Sequence, residues 1–168
     1  MSDPVLDAFL RAQLVQARRL AAESDLLRIQ PEAGDAPRRY LVHFHGEGLV
    51  RSPEGAIQRA SHFVIGVAFP DNYLRGPATQ QLVTMLAPTN VWHPNVDGYG
   101  ICLGKLPAGT GIVDLIFQVA DMITWKKYSP HDGISPAACE WARHQPRGTF
   151  PIDRRPLKWR APAEGAVR

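Results

Sequence analysis

The sequence predicts an α+β domain. Three observations carry this: an amphipathic helical repeat over residues 3–24, four strand-like runs joined by short turn-rich connections, and two further helical segments near the end. Grouped strands flanked by helices, rather than strict alternation, place an antiparallel meander against helices. The 168 residues suit one domain, and a chain of that length buries roughly 70% of its unfolded surface without a staple.

Asp3 can cap the first helix, and Pro4 fits its first position, where a missing N–H costs nothing. Leu6, Leu10, Leu14, Ala17 and Ala21 then recur at helical spacing, with Val5 and Phe9 beside them, to an end near Ser24. Arg11, Arg18 and Arg19 point away from that stripe. Asp3, Asp7 and Glu23 dilute the charge, so the helix reads as packed on a sheet rather than lying on a membrane. The strand-like runs are Leu26–Gln30, Tyr40–Val50, His62–Phe69 and Gln80–Ala87. PEAGDAP, RSPEGA and PDNYLRGPAT separate them, connections short enough for neighbouring antiparallel strands. Asn90–Leu106 is glycine-containing and shows no period. Ile112–Trp125 is helical, with Ile112, Leu115, Ile116, Val119 and Ile123 on one face and Lys126 and Lys127 suited to its C-terminus. A loop with two prolines follows, then a short helix, Ala137–His144, with Pro136 at its start. Residues 1–146 thus form the domain, and 147–168 a basic Pro/Arg-rich tail or an extended docking segment.

Net charge is +3, but residues 143–168 carry 7 basic and 2 acidic groups, so the remainder is net −2. That distribution argues against a nucleic-acid-binding domain. Two cysteines exclude a disulfide framework, and no run approaches a transmembrane length or a secretory leader. The expectation is a reduced, cytoplasmic setting with no membrane partner. Fifteen arginines against four lysines, with abundant Ala, Pro and Gly, suggest a GC-rich bacterial genome.

The chemistry concentrates in Trp92-His93-Pro94-Asn95-Val96-Asp97-Gly98-Tyr99-Gly100-Ile101-Cys102-Leu103. Here a thiol sits on a loop whose Pro94, Gly98 and Gly100 permit a fold-back towards Asn95. An Asn amide there can donate to the oxyanion of an acyl transfer. Cys139, in AACEW, reads instead as a packing thiol.

His93-Pro94-Asn95 followed by Gly100-Ile101-Cys102-Leu103 resembles the active-site segment of ubiquitin-conjugating enzymes. Phe69-Pro70, Tyr73 and Pro77 resemble that family's crossover after the third strand, and Ser129-Pro130-His131-Asp132 its Pro-x-Asp gate loop. The resemblance spans roughly residues 3–144 and implies the UBC fold: N-terminal helix, four-stranded meander, active-site loop, central helix and a shortened C-terminal helix.

The implied activity is a transferase that accepts a ubiquitin-like protein from an activating enzyme as a thioester on Cys102. It then passes that protein to a lysine of a protein target. No cofactor and no metal are implied. Cys102 is the nucleophile and Asn95 the oxyanion donor. Asp132 orients the incoming amine or accepts its proton. His93 is a catalytic-site candidate that either fixes the loop or acts as a base. Arg11, Arg18 and Arg19 lie on the helix that meets the activating enzyme in this family. The alternative is a catalytically silent module of the same fold that binds a ubiquitin-like protein.

Several positions depart from the family pattern. Six residues, not seven, separate Asn95 from Cys102; Gly104 replaces a frequent acidic residue; Arg75 stands near a usual aromatic; and Pro107-Ala108-Gly109-Thr110-Gly111 replaces a Trp-Ser-Pro-Ala stretch. The last two argue against recognition by an ordinary RING-type ligase. The short, ligase-poor form fits conjugating enzymes of bacterial ubiquitin-like operons, including antiviral ones. His43 and His45 share a strand face, but no carboxylate or cysteine cluster has spacing to complete a metal site.

Overall fold

A computed structural model describes residues 3–76 and 81–163. Pro77 and Gln80, expected in the crossover and the fourth strand, lie outside the described residues, as do residues 164–168 of the tail. The architecture is α+β. Helix α1 spans Pro4–Ala22, α2 spans Ile112–Ile123 and α3 spans Pro136–Arg143. Strands β1 (Leu27–Pro31), β2 (Arg39–Phe44), β5 (Phe63–Ala68) and β6 (Val83–Ala87) are successive antiparallel neighbours of one sheet. Between β2 and β5 stands a separate hairpin, β3 (Gly48–Arg51) with β4 (Ile57–Ala60). Two short strands, β7 (Val96–Asp97) and β8 (Gly100–Ile101), extend the sheet beyond β6. Among the described residues no helix is long and apolar enough to cross a membrane.

Three strand expectations are corrected. The continuous run Tyr40–Val50 is two strands. Gly46 sits against the Phe44 ring so closely that an added Cβ would lie 2.2 Å from it, and the next residue, Glu47, turns its N–H to Asp153. The strand Ile57–Ala60 was not foreseen, because its side chains are half or fully exposed and show no alternation. The stretch Asn90–Leu106 contains β7 and β8, which at two residues each are too short for periodicity to register.

Asp3 caps α1 as expected, its carboxylate accepting from the N–H groups of Val5 and Leu6. The apolar stripe Leu6, Leu10, Leu14, Ala17 and Leu20 is buried against the inward residues of β2 (Tyr40, Val42, Phe44), of β5 (Phe63, Ile65, Val67), and of α2. Helix α2 has no side chain of its own to cap it. Gln13 of α1 supplies that cap, its Oε1 accepting the Ile112 N–H at 2.8 Å in a buried setting. Replacing Gln13 with Met keeps volume and removes the acceptor, orphaning a buried N–H. The expected cost is about 1–2 kcal/mol, read as a lowered urea midpoint with unchanged slope.

The C-terminal segment takes the docking alternative. Leu157 joins the main core, and Ser24 Oγ donates to the Leu157 carbonyl. Asp153 is buried, accepts from the Glu47 and Arg155 N–H groups, and pairs with the Arg155 guanidinium at 2.7 Å. Burial pushes its carboxyl up, but those donors outweigh it and hold the pKa at about 2. Arg160 pairs with Asp25 at the α1–β1 junction. Residues 147–163 therefore strap the domain rather than trail from it.

Candidate active site

The shortened spacing between Asn95 and Cys102 is absorbed by a tight hairpin. Strands β7 and β8 pair Val96 with Ile101 and Asp97 with Gly100, and Gly98 turns with φ of 55°. The pairing places the Cys102 N–H on the Asn95 carbonyl at 2.8 Å. β8 in turn pairs with β6 through Thr84 and Gly100, so the hairpin is fixed to the sheet. Six residues therefore hold Asn95 and Cys102 side by side.

Asn95, Cys102 and Asp132 line one cavity of about 270 Å³, together with Leu103, Gly104, Met122, Lys127 and Ser129. Three separate segments meet there: the hairpin, the end of α2, and the loop between α2 and α3. The Asn95 amide has one orientation, because its Oδ1 accepts the Ser129 N–H at 3.0 Å. Nδ2–H₂ is then the donor end of the side chain. Cys102 is partly exposed and free, and Asp132 is exposed at the rim.

The loop that carries Asp132 is fastened to the hairpin. The Ser135 N–H donates to the Pro94 carbonyl at 3.0 Å, and Gly133 packs so tightly that an added Cβ would lie 2.4 Å from that same oxygen. Only glycine permits this approach. Cys139 is buried, its Sγ against Gly133 and 3.7 Å from the Ser129 carbonyl. It is a packing thiol, as its sequence setting indicated.

His93 does not line the cavity. It is 1% exposed; its Nδ1 accepts the Asn95 N–H at 3.0 Å, and its Nε2 lies 3.1 Å from the Lys127 carbonyl. Since one partner can only donate and the other only accept, the ring is the neutral Nε2–H tautomer. Burial lowers its pKa to about 4, a shift the Lys127 carbonyl only partly offsets. Both nitrogens are occupied, so the base alternative is corrected: His93 is a positioning residue that ties the hairpin to the chain after α2.

That chain turns on Trp125. The Trp125 N–H donates to the Met122 carbonyl and the Lys126 N–H to the Asp121 carbonyl, closing α2 with a left-handed residue at φ of 60°. The position usually calls for glycine. Here a tryptophan occupies it and inserts into a second apolar cluster with Leu49, Trp92, Ala138 and Ala142. Its ring stacks on Phe150 at 4.4 Å and meets the His93 ring edge-on at 4.8 Å.

Arg11, Arg18 and Arg19 are exposed on α1 and none lines the cavity; Arg11 pairs with Asp35 at 3.2 Å and Arg19 with Glu23 at 3.1 Å. His43 and His45 stack with His62, whose Nε2 lies 3.0 Å from His43 Nδ1. No group of three or more His, Cys, Asp or Glu among the described residues could hold a metal ion. Sequence reading missed Lys127 as a wall of the cavity, because a basic pair after a helix reads first as a charge at its C-terminus. Neither a family model nor a curated protein matches the chain.

Proposed function

We propose that the chain is a conjugating enzyme for a ubiquitin-like protein, built on the UBC fold. The observation that carries this is the meeting of Cys102 and Asn95, from the hairpin, with Asp132, from the loop between α2 and α3, around one cavity. The order of α1, meander, thiol-bearing hairpin, α2 and α3 supports the same reading.

Two acyl transfers follow. In the first, the Cys102 thiolate attacks the carbonyl carbon of the thioester presented by an activating enzyme. A new C–S bond forms and the activating enzyme's sulfur leaves as thiolate. In the second, the neutral amine of a target lysine attacks the Cys102 thioester. The C–N bond forms, Cys102 departs as thiolate, and the amine's proton passes to Asp132. Each step goes through an oxyanion that accepts from Asn95 Nδ2–H₂. The energetic burden falls on the second step. An ordinary thiol is roughly 3% ionised at pH 7, whereas an ordinary lysine is only about 0.04% neutral. A carboxylate beside the thioester addresses that deficit.

The test uses the full chain with an activating enzyme, its ubiquitin-like protein and ATP, the two partners taken from the gene neighbourhood. The wild type is expected to form a thiol-sensitive adduct of the combined mass. Cys102→Ala abolishes the adduct and Cys139→Ala does not. An uncharged wild type beside a charged activating enzyme refutes the carrier reading and leaves the silent binding module.

A further inference from the structure

Between β2 and β5 the chain leaves the main sheet to build the β3–β4 hairpin, and a histidine stands at each end of that excursion. His45 is the first residue after β2, and His62 the last before β5. Their rings stack at 4.7 Å with 5° between planes. His43, in β2, meets the same His62 ring, Nδ1 to Nε2 at 3.0 Å, one nitrogen donating to the other. The sheet side of this contact is fixed. His43 pairs with Arg28 of β1 and Val64 of β5, and the His45 N–H donates to the Leu26 carbonyl. His62 belongs to neither β4 nor β5, and its ring is gripped by the other two.

The β3–β4 hairpin is a two-stranded sheet of its own, with every β4 side chain half or fully exposed. Such hairpins are marginal unless packed. The anchorage lies mostly on β3. Leu49 reaches Trp92 and Trp125, its carbonyl accepts the Trp92 N–H at 2.8 Å, and the Arg51 N–H donates to the Asn90 carbonyl. Strand β3 therefore backs the segment that leads into His93.

We propose that His43, His45 and His62 form a proton-operated latch at the base of the β3–β4 hairpin, closed when the rings are neutral and open when they are charged. The charges that reach His43 come from His62 and Arg28; those that reach His45 come from His62, His43 and Arg28. None of these groups is an anion. A first proton is tolerated, because a charged ring still donates to a neutral one across the His43–His62 contact. A second sets two cations against each other at 3.0 Å, beside Arg28, and turns a hydrogen bond into repulsion. His62 then leaves the frame, and the hairpin opens at its base while the main sheet stays paired.

The sign follows from the same neighbours. Partial desolvation lowers the pKa of His43 and His45, and the adjacent cations lower both further. The closed state binds fewer protons than the open one, so it loses stability as pH falls through the ordinary imidazole value of about 6.5. An opening that takes up one proton becomes about tenfold more favourable per pH unit below that value. Once open, β3 no longer backs Trp92 and Trp125, so acid loosens the support of His93 and of the Cys102-bearing hairpin. The latch lies outside the Cys102 cavity and does not depend on a thioester.

Amide exchange on the full chain, read by mass spectrometry at pH 7.5 and 5.5 and corrected for the intrinsic pH dependence, tests this. His93, with its pKa at about 4, stays neutral at both. Peptides covering residues 46–61 are expected to lose protection about tenfold or more on acidification, while α1, β2 and β5 change by less than about threefold. His62→Gln keeps an amide for His43 and cannot charge, so it should hold wild-type protection at pH 7.5 and abolish the loss at pH 5.5. Wild-type protection of 46–61 that is unchanged by pH, that falls equally across α1 and the main sheet, or that falls equally in His62→Gln overturns the latch. Should His62→Gln be loose at both pH values, NMR titration of the wild type decides. The signals of the three rings and of the β3–β4 amides must shift with one midpoint, and separate midpoints overturn the latch.

Discussion

Asn95→Asp is expected to slow lysine discharge of a preformed Cys102 thioester by about 10²–10³-fold, the usual effect of removing one oxyanion donor. The substitution separates two jobs that Asn95 does at once. Its Oδ1 holds the Asp132 loop by accepting the Ser129 N–H, and its Nδ2 is the donor proposed for the oxyanion. Aspartate keeps an acceptor for Ser129 and has no N–H to offer, and its charge opposes the developing oxyanion. The loop should therefore stay docked, with the melting temperature within a few degrees of wild type, while discharge collapses. Asn95→Ala loses both jobs, so it should show the kinetic loss together with a lower melting temperature. Single-turnover discharge to free lysine, followed by loss of the thiol-sensitive band, measures the rate. A rate for Asn95→Asp within threefold of wild type would remove the oxyanion role.

The second large effect is on stability. Trp125→Ala should cost about 3–5 kcal/mol, as truncation of buried tryptophans generally does. In a domain of this size that is a fall of roughly 10 °C. The ring is 1% exposed, stacks on Phe150 with 7° between planes, and also touches Trp141 and His93. The backbone adds a distinguishing sign. At φ of 60° alanine keeps the steric penalty that tryptophan already bears, whereas glycine escapes it. Trp125→Gly should thus be more stable than Trp125→Ala by about 1 kcal/mol, the reverse of their order in a helix interior. Urea unfolding of the two variants side by side measures this; an alanine variant at least as stable as the glycine variant would contradict the left-handed turn. Both substitutions should also loosen His93, and through it the hairpin that carries Cys102.

Much of this was legible in the chain because it is local. Asp3-Pro4 and the stripe from Leu6 to Ala17 state where α1 begins and which face is buried, since capping and helical period act within a few residues, although in the last turn Leu20 is buried and the expected Ala21 is only half-buried. The α2 face from Ile112 to Ile123 and the proline start of α3 are local in the same way. Cys102 as an accessible thiol and Cys139 as a buried one followed from loop and helix settings. The break at Gly46, the β3–β4 hairpin and the two-residue strands were not legible, because side-chain packing and partner strands decide them.

The sequence by itself determined the α+β class, the helix boundaries to within a residue or two, and the thiol, amide and carboxylate at Cys102, Asn95 and Asp132 proposed for acyl chemistry. Only the tertiary structure decided which of those groups share a space. Asn95, Cys102, Lys127 and Asp132 meet because Gly133 lets one loop press onto the Pro94 carbonyl and because Trp125 reverses the chain after α2. The tertiary structure also decided that His93 is a tie rather than a base, since its backbone partners, at Asn95 and Lys127, lie on separate segments. The reason is physical: propensity, capping and periodicity are short-range along the chain, whereas a cavity, a burial-driven pKa shift and a close backbone approach depend on residues far apart in sequence.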